Sequence, residues 1–353
     1  MSALMDSIVY VIPPPTDIRF KYTAKFLKQY RVVTDVPVTP KLLWKHGILP
    51  LDALLYDSNK YEISQYLSYI AEERAWKINK PHEELLNDKV RFNKVLGDLG
   101  YGTYLPRQFG MLEGTKVGEE RVPFIELLDR ENSLVIKGRT GATGERVHIV
   151  RVDTDGQLHF DNHQCTSREL RENITSLDGY HITEYCEQAQ YIHSIYPHTA
   201  NTVRILTMNP MGDDPFIAAA VHRIGTHTSG HVDNFSQGGL SANIFDDGEL
   251  SDAVRIDGNQ VSWHGVHPDT GAMIRGVSVP HWDEITTTIL ELAEQLPELP
   301  YIGWDLIVVT DGGFKILEGN TNSDVNLLQA HEPLLRSEST RAFYLEHDVI
   351  KHR

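Results

Sequence analysis

Hydrophobic spacing divides the chain into a largely helical first part and a strand-rich remainder. Residues 1–85 combine a short predicted strand at 8–12 with helical spacing over 61–78. From residue 134 onwards, short apolar runs bounded by glycine, proline and asparagine predict strands. One later segment, 280–296, has the amphipathic spacing of a helix. The pattern therefore predicts an α+β protein.

The most informative pattern is a predicted hairpin in residues 301–326, YIGWDLIVVTDGGFKILEGNTNSDVN. Its two apolar runs meet at Asp311-Gly312, a dipeptide favoured in two-residue hairpin turns. With that turn, Asp305 lies directly opposite Glu318, and side-chain alternation puts Asn320 on the face of Glu318. We expect the same face to carry Ile307, Val309, Phe314 and Ile316. This face is therefore predicted to point inward.

The acidic pair in this hairpin has two interpretations. Like charges directly opposite each other across a sheet are destabilising, so two carboxylates beside a carboxamide favour a compensating cation. Hard oxygen ligands of this kind suit Mg²⁺, which takes one or two carboxylates together with substrate phosphates. The alternative is an ordinary hairpin whose acids lie at a solvated end of the sheet. The pairing alone leaves both interpretations open.

Composition narrows the function classes. The 353 residues are enough for two or three domains, with 41% hydrophobic and 23% charged residues. The net charge of −16 argues against a nucleic-acid-binding or membrane-surface protein. The only cysteines, Cys165 and Cys186, form no CxxC motif, so we expect neither a disulfide scaffold nor a zinc site. No signal peptide or membrane-length apolar run is visible, so we expect a cytoplasmic protein.

Two further stretches could bind phosphate. Asp88 has the position of a helix cap, which puts Lys89 in the first helical turn, the electrostatically worse end for a cation. Lys89 is therefore either a surface residue or an anion ligand. The Gly-rich loop 138–144 lies between two predicted strands, beside Lys137. Its backbone N–H groups could surround phosphates. It lacks the Walker A ending, and a flexible hairpin loop is the alternative.

Six motifs in order resemble the ATP-grasp superfamily: LLNDKVRF, LVIKGRTGATGE, ITEYCE, NTVRILT, VDNFSQGG and GWDLIVV followed by ILEGN. The resemblance is closest to the sugar-transfer-associated ATP-grasp branch, related to alpha-L-glutamate ligases, and covers roughly residues 40–335. It implies an ATP-grasp fold in which two α+β lobes clamp ATP after a smaller N-terminal α/β domain. The predicted segments are an N-terminal domain, a first lobe, a second lobe and a C-terminal helix or tail, at 1–85, 86–184, 185–335 and 336–353.

The resemblance also implies roles for particular residues. The nucleotide would be bound by Lys89, Lys137, Gly141, Gly144, Glu184, Tyr185, Cys186 and Glu187. Mg²⁺, as two ions, or alternatively Mn²⁺, would be held by Asp305, Glu318 and Asn320. Arg204 and Arg223 would steady the transferring phosphate and the tetrahedral intermediate. The chain reads TNSD after Asn320, where related ligases continue with Pro-Gly, so the acceptor side of the pocket differs.

The implied activity is ATP-dependent ligation of a carboxylate to an amine through an acyl phosphate. The expected partners are small molecules: an amino acid or other amine, and a small carboxylate such as a sugar acid. We expect no nucleic acid and no membrane, and leave a homodimer open. One alternative is an ATP-grasp kinase that phosphorylates a hydroxyl. Another is a nucleotide-binding module without turnover.

Overall fold

The computed structural model describes residues 17–140, 147–161, 163–230 and 232–351. Its helices are α1 (Asp17–Tyr30), α2 (Pro40–His46), α3 (Pro50–Leu55), α4 (Tyr69–Ala75), α5 (Glu84–Asn87), α6 (Lys89–Asp98), α7 (Phe124–Glu131), α8 (Ser167–Ser176), α9 (Gln190–His193), α10 (Trp282–Glu294), α11 (Asn326–Gln329) and α12 (Glu338–Glu346). Short 3-10 helices lie at Ile63–Gln65, Gly102–Tyr104, Phe235–Gln237 and Leu334–Arg336. In the described ranges, no helix has the length and apolar character needed to cross a membrane.

The strands are mostly short and lie between residues 108 and 320. They are β1 (Gln108–Glu113), β2 (Lys116–Val117), β3 (Val122–Pro123), β4 (Ser133–Lys137), β5 (Val147–Val152), β6 (Leu158–Phe160), β7 (His163–Cys165), β8 (His181–Glu184), β9 (Val203–Met208), β10 (Phe216–Ile224), β11 (Leu240–Ile244), β12 (Leu250–Asp257), β13 (Gln260–His264), β14 (Tyr301–Val308) and β15 (Phe314–Asn320).

One compact unit comprises the described residues up to 78, together with 258–261 and the chain from 324 onwards. Helices α1 to α4, α11 and α12 belong to it. Its interior is rich in aromatic side chains, with Phe26 and Tyr344 among the fully buried ones. The strand predicted at 8–12 lies outside the described residues. The boundaries of the four segments predicted from the sequence stay a prediction.

The second unit, 79–257 and 262–323, contains both large sheets except for residues 260–261 of β13. The first sheet has the order β3-β2-β1-β8-β4-β5-β6-β7, and the second has the order β13-β12-β11-β10-β9-β14-β15. The strand pairs with a resolved register in both sheets are antiparallel. Helices α7 and α8 pack on the first sheet around Leu128, Ile136 and Leu170. The predicted α+β class with two lobes is confirmed.

Helix α6 is fixed at its start by the predicted cap and along its length by the second sheet. The Asp88 carboxylate accepts hydrogen bonds from the backbone N–H groups of Val90 and Arg91, as an N-cap does. Phe92 and Leu96 are buried in the same core as the central strands. The cap therefore fixes the start of α6 at Lys89.

The hairpin β14–β15 has the predicted acidic pair but not the predicted turn. Asp305 lies opposite Glu318, yet Val308 pairs with Phe314, so the connection is longer than a two-residue Asp-Gly turn. A register shift between Asp305 and Leu306 restores the pairing. Such bulges add one residue to one strand and correct the register locally. Two errors in the predicted hairpin therefore cancel at the acidic pair.

The same bulge overturns the predicted face of two apolar residues. Phe314 and Ile316 pair with Val308 and Leu306, and all four belong to the main hydrophobic core. The predicted sharing of a face with Glu318 is therefore wrong for Phe314 and Ile316. Because a one-residue slip moves side chains to the other face, the bulge separates an apolar face from a polar one.

Candidate functional site

The polar face of the second sheet carries a guanidinium directly across from Asp305. Arg204 on β9 alternates with Val203 and Ile205, which lie in the core, so its side chain lies on the opposite face, as predicted. Arg204 pairs with Asp305 across the two strands, and both of its donors on one edge contact the two carboxylate oxygens. Both residues are buried. Asp305 is therefore not at a solvated sheet end.

A second guanidinium, that of Arg223 on β10, also reaches Asp305. Its NH2 nitrogen lies 3.2 Å from Asp305 Oδ2, and its Nε lies 3.5 Å from Asp233 Oδ2. Burial raises the pKa of Asp305, but the charges of Arg204 and Arg223 more than offset this and lower it to about 2. Asp305 is consequently ionised throughout the physiological range.

Glu318 and Asn320 on β15 extend this cluster. Lys89 Nζ lies 2.9 Å from Glu318 Oε2. The Asn320 Nδ2 atom lies 3.3 Å from Asp305 Oδ2 and 3.4 Å from Glu318 Oε1. The structure therefore brings the three predicted metal ligands together. It also supplies Lys89, Arg204 and Arg223 as the compensating cations that the opposed carboxylates require.

Lys137, at the end of β4, lies close enough to Glu318 and Lys89 of this cluster for their charges to act on it. Burial lowers its pKa, while the neighbouring Cys186 and Glu318 act in the opposite direction. Within the described ranges, the Lys137 ammonium forms no hydrogen bond or ion pair. Burial likewise raises the pKa of the Cys186 thiol, to about 11, so this cysteine is a neutral thiol at pH 7. The described cysteines are both free.

The segment after β8 links the two sheets. Glu184 ends β8 in the first sheet, and Gln188 forms a β-bridge with Val309 beside the second. The Glu184 side chain accepts hydrogen bonds from Arg107, and the Tyr185 hydroxyl accepts one from Arg151. The backbone of Glu187 accepts a hydrogen bond from Thr310. The segment therefore joins the end of β8 to a bridge beside the second sheet, and its predicted contacts with the nucleotide stay a prediction.

Of the predicted glycine loop, only the first part is described. Gly138 is buried. Arg139 contacts the cap of α6: its Nε and Nη2 nitrogens donate to Asp88 Oδ2 at 2.9 and 2.7 Å. Gly141 and Gly144 lie outside the described residues. Their predicted contact with phosphate stays a prediction.

Two residues of the cluster have no predicted role. Thr202 accepts hydrogen bonds from both Nε and NH2 of Arg223, and Asp233 accepts from Thr202. Both lie in quoted motifs, NTVRILT and VDNFSQGG, but these motifs are far apart in sequence. Only the pairing of β9 with β10 and the return of the following loop bring them together.

The donor set can be tested for a hard divalent cation. Asp305, Glu318 and Asn320 offer two carboxylates and one carboxamide oxygen, which is a set that suits Mg²⁺. Rotation of the Asn320 amide about its terminal side-chain bond would turn Oδ1 towards both acids. Glu318 keeps a quarter of its side chain exposed. These two carboxylates and one carboxamide fit the metal. A site of a different kind, built from three or more His, Cys, Asp or Glu side chains, does not occur among the described residues.

The sequence profile described as sugar-transfer associated ATP-grasp matches residues 72–341, which include every residue of the cluster. The chain belongs to the sugar-transfer associated ATP-grasp family. Membership in this family confirms the resemblance that the six motifs indicate, together with the ATP-grasp fold. No curated protein matches the chain.

Several solved structures are similar to this ATP-grasp chain at low identity. The ATP-grasp ligase PsnB complexed with a minimal precursor is 14% identical over 76% of this chain and 64% of its own, with a TM-score of 0.42. The RiPP-associated ATP-grasp ligase of Chryseobacterium gregarium, in complex with ADP and a leader and core peptide, is 14% identical over 76% and 60%, with a TM-score of 0.38. The N5-carboxyaminoimidazole synthetase of Staphylococcus aureus complexed with ADP is 8% identical over 69% and 46%, with a TM-score of 0.40. The chain spans less than two thirds of the length of each.

Proposed function

We propose that this ATP-grasp protein is an ATP-dependent carboxylate–amine ligase that forms an amide through an acyl phosphate. One observation carries the proposal. Arg204, Arg223 and Lys89 converge on Asp305 and Glu318, on one face of the second sheet. A cluster of donors that can neutralise phosphate charge, beside oxygen ligands for a metal, is what phosphoryl transfer requires.

The charges of the cluster support a polyanionic ligand. Among the described residues, Lys89, Lys137, Arg204 and Arg223 surround the carboxylates of Asp233, Asp305 and Glu318. The four cations of the cluster outnumber its three carboxylates by one, although the chain as a whole has a net charge of −16. A triphosphate would be attracted to this excess.

Lys137 is the strongest individual candidate for a phosphate ligand. Burial disfavours its charged form, and no described residue forms a hydrogen bond or ion pair with it. The partial burial of Lys137 disfavours its ammonium in the free protein, so an anion that binds there gains a partly desolvated donor. We propose that Lys137 and Lys89 contact the phosphates. We propose that residues 184–187 contact the adenine and ribose.

The metal would be held by Asp305, Glu318 and Asn320, and when bound it would neutralise part of the phosphate charge.

Arg204 and Arg223 have different proposed roles. Arg204 already uses one edge of its guanidinium on Asp305 and donates to Ser323 as well. Arg223 leaves its NH1 nitrogen without a hydrogen bond in the described ranges. We therefore propose that Arg204 holds Asp305 and that Arg223 contacts the reacting groups.

The proposed reaction has two steps. A carboxylate oxygen of the acid attacks the γ-phosphorus of ATP, the bond from that phosphorus to the ADP oxygen breaks, and an acyl phosphate forms. The amine nitrogen then attacks the carbonyl carbon, and the C–O bond to phosphate breaks. The amine loses one proton to the solvent, and phosphate leaves with an oxygen of the acid. The donors of Arg223 would stabilise the negative charge that develops on the former carbonyl oxygen of the tetrahedral intermediate.

A panel screen tests this proposal. Pairs of carboxylic acids and amines, including sugar acids, amino acids and peptide carboxylates, are incubated with ATP and Mg²⁺, and ADP release is followed. Mass spectrometry identifies the product. The proposal predicts ADP release that requires both acid and amine, with ¹⁸O passing from the labelled acid into phosphate. A stable phosphorylated product without free phosphate would instead identify a kinase and overturn it.

A further inference from the structure

The guanidinium of Arg223 is held along one edge and open along the other. Its Nε and NH2 nitrogens donate to the hydroxyl oxygen of Thr202 at 2.9 and 2.6 Å. NH2 also lies 3.2 Å from Asp305 Oδ2. NH1 forms no hydrogen bond in the described parts of the chain. The open edge can donate to a ligand only as accurately as the held edge is fixed.

The hydroxyl group of Thr202 is suited to fix that edge. A hydroxyl has one donor hydrogen and two acceptor lone pairs. The hydrogen of Thr202 is used on Asp233 Oδ2 at 2.5 Å, so both lone pairs remain for the two N–H groups of Arg223. Thr202 is 5% exposed, so water competes little for these bonds.

Asp233 sets the direction of the Thr202 hydroxyl from the loop after β10. Its Oδ2 accepts from both the backbone N–H and the hydroxyl of Thr202, at 2.8 and 2.5 Å. The backbone N–H of Arg223 donates to the carbonyl of Thr202 at 2.7 Å, which joins the two strands at this point. Asp233 is buried. The hydroxyl therefore has one orientation, with its lone pairs towards Arg223.

We propose that Thr202 is a positioning residue that aims the open edge of Arg223 at the reacting phosphoryl and carboxyl groups, and that Asp233 orients its hydroxyl. This inference rests on the proposed function of the same site. The hydroxyl of Thr202 affects catalysis by holding Arg223, and Thr202 itself does not contact substrate.

Two substitutions isolate the hydroxyl. Thr202→Val keeps the β-branched shape and the backbone N–H but removes the acceptor, whereas Thr202→Ser keeps the acceptor. For the valine variant we expect kcat to fall by about 10- to 100-fold with little change in KM for ATP, because misplaced catalytic groups lose rate rather than ground-state binding. The serine variant should stay within about threefold of wild type in kcat. Thr202→Ala replaces the valine variant if the latter does not fold.

A matched control is available on α12. Thr340 is a fully buried threonine whose hydroxyl has no hydrogen-bond partner among the described residues. Thr340→Val should therefore leave kcat unchanged. If Thr340→Val lowers kcat as much as Thr202→Val does, the effect is a general one of buried threonines, and the proposal is wrong.

An NMR measurement separates this proposal from the proposed function. The Nε–H resonance of Arg223, assigned by its loss in Arg223→Lys, should be protected from solvent exchange in wild type and Thr202→Ser. It should exchange or broaden in Thr202→Val. This readout needs no turnover, so it applies even if no acid and amine pair is accepted. A resonance equally protected in Thr202→Val overturns the positioning role, as does wild-type kcat in that variant while Arg223→Lys is inactive.

Discussion

At the scale of single residues, Glu318 tests the metal site most sharply. Its carboxylate contacts Lys89 and Asn320 and remains a quarter exposed, so it contributes little to the core. We predict that Glu318→Ala lowers Mg·ATP turnover by at least about 100-fold, in line with the loss of a key electrostatic group. The melting temperature should change by no more than about 2 °C. Steady-state ADP release and calorimetry check both values.

The control for this substitution is Glu84→Ala, which removes an exposed acid paired with Arg91 at 3.1 Å. Such surface pairs contribute little, so turnover should be unchanged. Wild-type turnover in Glu318→Ala would show that the metal assignment is wrong.

Lys137 gives a second prediction at the residue scale. Lys137→Met keeps the length of the side chain and removes a desolvated charge. We expect the dissociation constant for ATP to rise by about 10- to 100-fold, because one charge-assisted contact is lost. The protein without nucleotide should become slightly more stable, since a partly buried ammonium no longer has to be desolvated. Calorimetric titration with a nonhydrolysable ATP analogue measures the first effect. An unchanged dissociation constant would contradict the role of Lys137.

Much of the residue-scale site could be predicted from the sequence, but part of it could not. The opposition of Asp305 and Glu318 was predicted by counting back from an assumed turn at Asp311-Gly312. It is confirmed because a longer connection and a bulge cancel. Thr202 and Asp233 could not be found, because their contact depends on a loop that returns over β9 and β10 and leaves no local pattern.

At the scale of elements, two glycines form a matched pair for testing how α6 is held on the second sheet. A Cβ at Gly319 on β15 would lie 2.8 Å from Leu86 and 2.9 Å from Phe92, whereas a Cβ at Gly97 on α6 would meet nothing within 4 Å. We predict that Gly319→Ala destabilises the fold by about 1–3 kcal/mol through overpacking. Gly97→Ala should stabilise it by about 0.5–1 kcal/mol through helix propensity.

Denaturant unfolding measures both changes. Because Gly319 lies between Glu318 and Asn320, Gly319→Ala should also lower turnover, and Gly97→Ala should not. Equal stability of the two variants would mean that α6 does not pack closely against β15.

The Asp88 cap and the amphipathic helix α10 were predictable because capping and helical spacing are local signals. The bulge has no comparably strong signal.

At the scale of the whole molecule, the unit that contains α1 to α4 makes the stability of the fold depend on pH. Burial raises the pKa of Asp52 to about 7, with a further contribution from Asp324 and an opposing one from Lys25. Burial also raises the pKa of Glu72 well above its ordinary value. An unfolded Asp has a pKa of about 3.9, so the folded chain binds more protons between about pH 4 and pH 7. Stability therefore falls as pH rises through this window.

We predict that the melting temperature of the wild type decreases from pH 5 to pH 8 and that Asp52→Asn reduces this decrease. The asparagine variant should be more stable than wild type at pH 8, by a few degrees at most. Asp324→Asn should act in the same direction with a smaller effect, because Asp324 is the lesser cause. An identical pH profile in Asp52→Asn and wild type would contradict the assignment.

The family and the fold of the whole molecule could be predicted because several weak motifs occur in a specific order, and the profile over residues 72–341 confirms both. The substrates could not be predicted, because they depend on the shape of a pocket rather than on a motif.

The proposed metal site is tested most directly by a crystal structure with a nonhydrolysable ATP analogue and Mn²⁺, read by anomalous scattering. We predict an anomalous peak bound by Asp305, Glu318 and Asn320 and bridged to the phosphates. A bound analogue with no peak there, and with Asp305 held only by Arg204 and Arg223, would show that these residues do not bind a metal with the nucleotide.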